Sequence, residues 1–523
     1  MTVCRRSYHR ACRAVIIAGW LAMPAVSSAM SPPPRIFGDN MVLQRERPIP
    51  VWGKGQAGEE ITVRLAGTEA KTKSDATGKW MVRLPALSAG GPHTLTISGK
   101  DDKSVAYKNV MVGEVWICSG QSNMAWPLSR ANDADKEIAA AKHPDIRLFT
   151  VKTKTSPTPL ADVESDGWQV CGPETAPRFS AVGYFFGREL YTKLNVPIGL
   201  VNTSWGGTAI EPWTPPLGFV LVPAVQQFYD EIERADRDYA AQLETYVTQR
   251  REWVTAAKEA SPAGKDVTMR PPLPPEHRLA SAGSRQPSGI YNAMVDPLVP
   301  YAIAGAIWYQ GEANCVGGDG MVYHEKMKAL IAGWRAVWGQ GGFPFLYVQL
   351  APWEYKDKYP GPEDRLPRIW EAQTATLSVP NTGMAVTTDI GDIHDIHPKN
   401  KQEVGRRLAL WAVAKSYGKT DLVCSGPLYK SMAIEGSKVR VRFDCVGGGL
   451  ASRDGQPLSW FQIAGEDRKF VDATAAIDGD AVVVSSDRVA KPVGVRCGWN
   501  ELAEPNLMNK EGLPVSPFRT DKW

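Results

Sequence analysis

The sequence predicts an α/β protein whose parallel sheet is covered by helices on both faces and flanked by β-sandwich-like regions at both ends. In the middle of the chain, short apolar segments alternate with segments of helical periodicity. This pattern is typical of a parallel sheet with crossover helices. Before and after it, short alternating segments separated by glycines, such as "EITVRLAG", favour β-sandwiches.

The central strands are predicted from apolar runs that each end in polar or glycine-rich residues. Buried strands of parallel sheets have this composition because helices cover both of their faces. The predicted strands are 146–151, 196–207, 304–312, 343–351 and 383–392.

These patterns divide the chain into four regions. A long charged helix, about Ala224 to Ala260, and the proline-rich segment after it predict an insertion at about 215–285. The predicted regions are a leader at 1–29, an N-terminal β-sandwich domain at 30–112, an α/β domain at 113–418 that carries the insertion, and a C-terminal β-rich domain at 419–523.

The first residues have the pattern of a secretory signal peptide. Four arginines precede an apolar stretch from Ala14 to Val26, and small residues at Ser27, Ser28 and Ala29 offer a cleavage site. The apolar stretch is too short to span a bilayer. We therefore predict a secreted or periplasmic protein without a membrane anchor.

The charge of the chain gives no sign of a nucleic-acid or anionic-membrane partner. The formal net charge is +4, and the four arginines of the leader account for all of it. Without the leader the charges balance, whereas nucleic-acid-binding proteins carry basic patches.

Six cysteines remain after the leader. An even number in an oxidising compartment predicts some disulfide pairing, and Cys424 and Cys445 are the favoured pair because they are close in sequence. No Cys-x-x-Cys or His-x-x-x-His spacing indicates a metal site, so no metal is predicted.

Four predicted strand ends carry reactive or hydrogen-bonding residues. In an open parallel sheet, functional groups gather at the carboxyl ends of the strands. The four segments are "GQSN" at 120–123, "SWGGT" at 204–208, "QGEAN" at 310–314 and "TTDIGDIHDIHPKNK" at 387–401.

Together these segments contain the groups that an esterase needs. Ser122 can attack an acyl carbon if a histidine takes its proton. The glycine pair exposes backbone N–H groups to a tetrahedral oxyanion, and the side-chain amide of Gln310 can add a donor. A carboxylate must then orient the histidine.

Several motifs resemble those of the sialate O-acetylesterase family in the SGNH hydrolase superfamily. They include "GEVWICSGQSNM", "NTSWGGTAIEPW", "IWYQGEAN" and "DIHPKNKQEVGRRLAL". The resemblance also reaches "FGDNMVLQRERPIPVWG" near the N-terminus and "NLMNKEGLPVSPFR" near the C-terminus, and it is weakest across 215–285. It implies a flavodoxin-like sheet and an esterase that requires no cofactor.

The resemblance also implies roles for individual residues. Ser122 would be the nucleophile and His397 the general base. The oxyanion hole would be formed by the backbone N–H of Ser122, by Gly206 or Gly207, and by Gln310. Many SGNH enzymes have asparagine at the position of Gln310, so this sequence departs from the pattern there.

The acid of the triad is left open between two residues. Many relatives carry Asp-x-x-His, but His394 stands where that aspartate is expected. Asp395 lies on the same side as His397 if the segment is extended. Related acetylxylan esterases use a glutamate that matches Glu312. Asp392 is a more distant alternative, and His394 is more typical of a hydrogen-bonded loop residue.

Three tryptophans follow these strand ends and are candidates for binding a sugar. They are Trp126, Trp213 and Trp353. The C–H faces of sugar rings stack on indoles, although most of the 18 tryptophans are expected to lie in the core.

The main hypothesis is a secreted serine esterase that removes O-acetyl groups from a carbohydrate through an acetyl-serine intermediate. The sugar is either a sialic acid or a hemicellulose such as xylan or xyloglucan, because the triad fixes the reaction while the loops fix the substrate. One alternative is a carbohydrate-binding protein with an inactive hydrolase core. Another is a glycoside hydrolase that uses Glu312 and Asp395 as paired carboxylates. The oligomeric state is not predicted.

Overall fold

The N-terminal region is a small β-structure made of two short sheets. The computed structural model describes residues 32–99, 104–261 and 270–523, so the predicted leader lies outside the described residues. Strands β3, β4 and β6 form one sheet and β2 pairs with β5. The strands are β1 (Val42–Gln44), β2 (Ile49–Lys54), β3 (Glu60–Leu65), β4 (Thr68–Lys73), β5 (Lys79–Leu84) and β6 (Gly90–Ser98).

One long strand, β7 (Ser104–Gly120), connects this region to the central sheet. Its first half pairs with β6 and β1, and its second half becomes a central strand of the α/β sheet. The predicted boundary between 112 and 113 therefore falls inside a single strand. Apolar side chains of the N-terminal sheets also share one continuous core with the α/β region.

The central sheet has the predicted parallel arrangement. Its order is β13-β12-β11-β7-β10-β8-β9, in which only β9 is antiparallel to its neighbour. Strands β8 and β9 lie together at one end of the sheet. If the other five strands are numbered along the chain from β7 to β13, their order in the sheet is the flavodoxin-like 2-1-3-4-5. The further strands are β8 (His143–Val151), β9 (Ser165–Cys171), β10 (Ile198–Ser204), β11 (Gly305–Tyr309), β12 (Phe345–Val348) and β13 (Thr382–Ala385).

Helices cover both faces of this sheet, as predicted. Trp116 of β7 packs against Phe186 of α3. Helix α3 in turn contacts α10, so both helices lie on the same face of the sheet. In β11, Trp308 packs on Trp334 of α7. Gly305 of β11 pairs with Trp116, so position 305 faces the same side of the sheet as Trp116. Side chains alternate along a strand, and Trp308 is three residues after Gly305, so it points to the opposite face.

The helices have the following bounds. They are α1 (Ser122–Ala125), α2 (Ala134–Ala140), α3 (Ala181–Leu194), α4 (Pro216–Leu221), α5 (Gln227–Ala260), α6 (Glu312–Val316), α7 (Val322–Trp338), α8 (Tyr355–Lys358), α9 (Arg365–Ala375) and α10 (Lys401–Ser416).

The predicted insertion contains the long charged helix α5. Only Ile232 and Ala235 of this helix are buried, and both lie in a small apolar cluster with Phe219 and Leu279. The fully buried residues are confined to the first part of α5, which anchors the helix at that end.

The C-terminal region is a β-sandwich with its own core, also as predicted. Strands β14, β15, β20 and β19 form one sheet, and β18, β17, β21 and β23 form the other. Side chains from both sheets make a separate apolar cluster. The strands are β14 (Leu428–Glu435), β15 (Lys438–Asp444), β16 (Leu450–Ser452), β17 (Phe461–Gly465), β18 (Phe470–Asp472), β19 (Thr474–Asp478), β20 (Ala481–Ser485), β21 (Pro492–Cys497), β22 (Leu507–Asn509) and β23 (Phe518–Arg519).

The predicted disulfide is not formed. All six cysteines of the described residues are free thiols, including Cys424 and Cys445. Four of them, Cys118, Cys171, Cys315 and Cys497, are buried at separate positions in the apolar cores. Proximity in sequence was therefore not enough to pair Cys424 with Cys445.

The described helices include none that is both apolar and long enough to cross a bilayer. Within the same residues, no cluster of three His, Cys, Asp or Glu side chains has the arrangement of a metal site.

The turn that ends β7 requires a glycine. Gly120 has φ +138°, and a Cβ atom there would lie 2.1 Å from the carbonyl oxygen of Tyr309 on the neighbouring strand. This close approach brings the residues after β7 against the end of β11.

We expect Gly120→Ala to destabilise the protein by more than about 3 kcal/mol, because it adds a backbone clash to the cost of the positive φ. The free energy of unfolding in denaturant measures this effect. Gly58→Ala is the matched control, since Gly58 has φ +76° with open space around it. That control is expected to cost about 1 kcal/mol. Equal losses in the two variants would show that the contact with Tyr309 is unimportant.

Candidate active site

Ser122 lies at the carboxyl end of β7, where the flavodoxin-like order places a crevice between neighbouring strands. It is the first residue of the short helix α1, and its N–H is among those that have no partner inside a helix. Gln121 fixes the turn, since its side-chain oxygen accepts hydrogen bonds from the N–H groups of Gly311 (3.4 Å) and Ala313 (3.3 Å). The Ser122 hydroxyl is thereby held beside the end of β11.

His397 reaches this hydroxyl from the loop between β13 and α10. Its Nε2 lies 2.9 Å from Ser122 Oγ, although the two residues are 275 positions apart in the chain. The imidazole is half-buried, with 26% of the side chain exposed. Burial lowers the pKa of His397, the charge of Lys401 lowers it further, and Asp395 opposes both effects. The neutral form, which can accept a proton, is thereby favoured.

Asp395 contacts the other side of the imidazole. Its Oδ1 lies 3.5 Å from His397 Nδ1 and accepts a hydrogen bond of 2.9 Å from the backbone N–H of His397. The same carboxylate oxygen therefore faces both the ring and the backbone of one residue. This arrangement suits a group that orients the ring.

Glu312, the other candidate for the acid, is turned away from the imidazole. It is 4% exposed, and its Oε1 accepts a hydrogen bond of 2.5 Å from Asn123 Nδ2. Burial raises its pKa. Asp392 is also placed elsewhere, because it accepts the backbone N–H of His394. Of the three carboxylates, Asp395 has the geometry of a triad acid.

His394 points into solvent rather than toward the serine. Its side chain is 74% exposed, and its Nδ1 lies 3.1 Å from Glu354 Oε2. It is a hydrogen-bonded loop residue, as the sequence favoured.

Two glycines, Gly206 and Gly207, follow β10 near Ser122. Gly206 adjoins the serine, since a Cβ atom at this position would lie 3.3 Å from Ser122 Cβ. Gly207 is exposed with φ +74°, which suits a glycine in a tight turn. The backbone at Gly206 is therefore close enough to Ser122 to share an oxyanion with it.

Gln310 does not have the predicted position of an oxyanion donor. Its side chain is fully buried, and its amide nitrogen donates to Thr208 O (3.2 Å) and Asn314 Oδ1 (2.7 Å). Its amide oxygen accepts from the Tyr323 hydroxyl (2.9 Å). Because both the nitrogen and the oxygen of this amide form hydrogen bonds inside the protein, the side chain stabilises the end of β11 and does not face the oxyanion.

Comparison with known proteins identifies relatives of this chain. Residues 112–247 and 283–414 match the carbohydrate esterase family described as sialic acid-specific acetylesterase. The sialate O-acetylesterases of Rattus norvegicus and Homo sapiens are 33% and 30% identical to this chain. The alignments cover 75% of this chain and 75% and 72% of those proteins, respectively.

This chain belongs to the sialic acid-specific acetylesterase family of carbohydrate esterases. A solved structure supports the assignment over nearly the whole chain. The carbohydrate acetylesterase of Xanthomonas citri is 39% identical, with a TM-score of 0.78, and the match covers 94% of this chain and all of that one.

Membership of the acetylesterase family confirms three predictions. The family is the one that the motifs resembled, the fold is the predicted α/β sheet with flanking β-regions, and the protein is a carboxylic ester hydrolase. The unmatched segment 248–282 lies within the predicted insertion.

The three tryptophans proposed to bind sugar have different positions in this acetylesterase. Trp126 is half-buried, and its ring stacks on the imidazole of His397 with centroids 4.9 Å apart. Trp213 is fully buried, donates to Thr208 Oγ1 and packs on Trp308. Trp353 is only 8% exposed. The prediction for Trp213 is therefore wrong, because a core residue has no face to offer a sugar.

Sequence reasoning missed three residues of the acetylesterase site. Asn123 and Lys401 are buried beside Ser122 and His397 and are hydrogen-bonded to each other. Arg130 is exposed, with its guanidinium carbon 5.7 Å from the centre of the Trp126 ring. Asn123 and Lys401 stand inside the motifs "GQSN" and "HPKNK", which was the available signal. Nothing in the sequence pattern singled out Arg130.

Proposed function

We propose that this protein is an exported serine esterase that removes O-acetyl groups from an acidic sugar, and that acetylated sialic acid is its substrate. The observation that carries the mechanism is the 2.9 Å contact between Ser122 Oγ and His397 Nε2. A serine hydroxyl is a weak nucleophile until a neighbouring base accepts its proton.

In the first half of the reaction, Ser122 Oγ attacks the acetyl carbonyl carbon while His397 takes the hydroxyl proton. The oxyanion of the tetrahedral intermediate accepts hydrogen bonds from the backbone N–H groups of Ser122 and Gly206. When the intermediate collapses, the bond to the sugar oxygen breaks, and His397 returns the proton to that oxygen. The products are the free sugar hydroxyl and an acetyl ester on Ser122.

In the second half, water replaces the sugar. His397 takes a proton from the water, whose oxygen attacks the acetyl-serine carbonyl. Collapse of this second intermediate returns the proton to Ser122 Oγ and releases acetate. In both halves Asp395 orients the imidazole and stabilises its cationic form.

The side chains next to the imidazole support an acidic sugar as the substrate. Trp126 offers an apolar ring beside the reacting hydroxyl, and Arg130 lies over that ring. The indole N–H donates to Arg130 O (2.9 Å), which fixes the two residues together. No carboxylate of the described residues forms an ion pair with this guanidinium. An unpaired, exposed arginine is suited to bind the carboxylate of an acidic sugar.

The proposal is tested by acetate release from O-acetylated sialic acids and from neutral acetylated xylo-oligosaccharides. We expect Arg130→Gln to lower kcat/KM for the acidic substrates by about 10- to 100-fold, the value of a charge-assisted pair. Turnover of neutral p-nitrophenyl acetate should remain unchanged. Arg237→Gln, on the exposed part of α5, is the matched control.

Each other outcome of this experiment has a definite meaning. A preference of the wild-type protein for xylo-oligosaccharides, together with no effect of Arg130→Gln, would identify a hemicellulose acetylesterase. Release of reducing sugar without acetate would identify a glycoside hydrolase.

The proposed location outside the cytoplasm is supported by the leader pattern of residues 1–29. The N-terminal residue of the protein recovered from its native host tests this part of the proposal.

A further inference from the structure

A chain of buried polar groups lies behind the serine and the histidine. Lys401 Nζ donates to Asn123 Oδ1, and Asn123 Nδ2 donates to Glu312 Oε1 (2.5 Å) and to Ile396 O (2.9 Å). Lys401, Asn123 and Glu312 are 0%, 1% and 4% exposed. None of these three side chains has a step in the proposed reaction, although they adjoin both reacting residues.

The partners of Asn123 leave only one orientation for its amide. An ammonium group can only donate a hydrogen bond, while a backbone carbonyl can only accept one. The amide oxygen must therefore face Lys401, and the amide nitrogen must face Ile396. Asn123 follows Ser122 in α1, and Ile396 precedes His397, so this side chain connects the two segments that carry the reacting atoms.

Lys401 is an unusual residue for this position. It is fully buried at the first residue of α10, where the helix dipole disfavours a positive charge. No carboxylate of the described chain forms an ion pair with it. Its Nζ instead lies 5.1 Å from the ring centre of Tyr309 and 5.9 Å from that of Trp126. A buried cation without a direct counter-ion is costly and points to a functional need.

We propose that Asn123 and Lys401 are positioning residues that hold His397 against Ser122 and that the charge of Lys401 keeps the imidazole in its proton-accepting form. The inference rests on the proposed serine mechanism. Asn123 provides the connection between the two segments, and Lys401 fixes the direction of the Asn123 amide.

The charges around the imidazole support the electrostatic part of the proposal. Burial lowers the pKa of Lys401 to about 7, with Glu312 and Asp395 opposing this shift. Burial and the charge of Lys401 lower the pKa of His397, and Asp395 opposes this shift. The ionisable groups that act on His397 are Lys401, Asp395 and Arg130.

Lys401→Met tests both parts, because it keeps most of the length of the side chain and removes its donor and its charge. We expect kcat to fall by about 10- to 100-fold with little change in KM, since the fully buried Lys401 does not contact the substrate. The acid limb of the kcat/KM–pH profile should also move to higher pH by about half a unit or more, because a nearby positive charge is lost.

Asn123→Ala is the second variant. It cuts the connection between Ser122 and Ile396, so kcat should fall. Lys415→Met, an exposed change on the same helix, is the matched control and should leave both kcat and the pH profile unchanged. Unfolding midpoints establish that each variant is folded.

The result that overturns the inference is wild-type kcat in folded Lys401→Met or in folded Asn123→Ala. If kcat falls in Lys401→Met with an unmoved acid limb, the electrostatic part is wrong. If Lys401→Met does not fold, wild-type kcat in Asn123→Ala still refutes the connection. The proposed mechanism itself fails separately, through an active Ser122→Ala variant.

Discussion

Ser122→Ala is expected to lower kcat for p-nitrophenyl acetate and for acetylated sugars by at least about 10⁴-fold, as the loss of a catalytic serine does in other hydrolases. The reason is that no other described hydroxyl forms a hydrogen bond with His397 Nε2. Without Oγ, the acetyl group has no acceptor and the covalent intermediate cannot form. The residual rate reports the binding of the substrate and the backbone donors of the oxyanion hole.

The control for this variant is Ser129→Ala, which removes an exposed serine shortly after α1. It should retain full activity. The unfolding midpoint of Ser122→Ala should match that of the wild type, because the removed hydroxyl is only partly buried. Wild-type turnover by Ser122→Ala would exclude the acetyl-serine mechanism.

Asp395→Asn is expected to lower kcat by about 10³- to 10⁴-fold, because the imidazole loses the charge that orients it and stabilises its cation. Glu312→Gln is the informative comparison. The amide oxygen of a glutamine can still accept the hydrogen bond from Asn123. We therefore expect a loss of less than about tenfold for this variant.

Steady-state kinetics on acetylated substrates distinguishes the two carboxylates. The reverse order, with Glu312→Gln inactive and Asp395→Asn active, would assign the triad acid to Glu312. In that case the imidazole of His397 would have to move from Asp395 to Glu312 before the reaction.

The meeting of Ser122 and His397 was predictable because it depends on strand order. Residues that follow β7, β10, β11 and β13 lie at the same edge of a parallel sheet, whatever their distance in the chain. The apolar runs showed where the strands end, and the residues after them showed which chemistry the edge supports. The choice between Asp395 and Glu312 was left open because it depends on side-chain direction, which a motif does not specify.

The errors have three separate causes. Trp213 and Gln310 stand in the right segments, but packing turns both side chains into the interior. Lys401 was overlooked because lysines are rarely buried, and composition alone places them at the surface. A boundary at 112/113 looked natural because the periodicity changes there, yet β7 continues through it.

The continuity of β7 restricts how this enzyme can be divided. One strand pairs first with the amino-terminal strands and then with the central sheet up to Gly120, so the two parts are joined by ordered backbone and not by a loop. Truncation at Gly113 would remove the first half of β7 together with β1 and β6, and would expose the apolar side chains that they share with the α/β region. The amino-terminal β-structure thus completes the interior of the α/β region, whereas the carboxy-terminal sandwich has a separate interior and is joined to that region by polar contacts such as Gln349 Nε2 to Ser516 Oγ (2.9 Å).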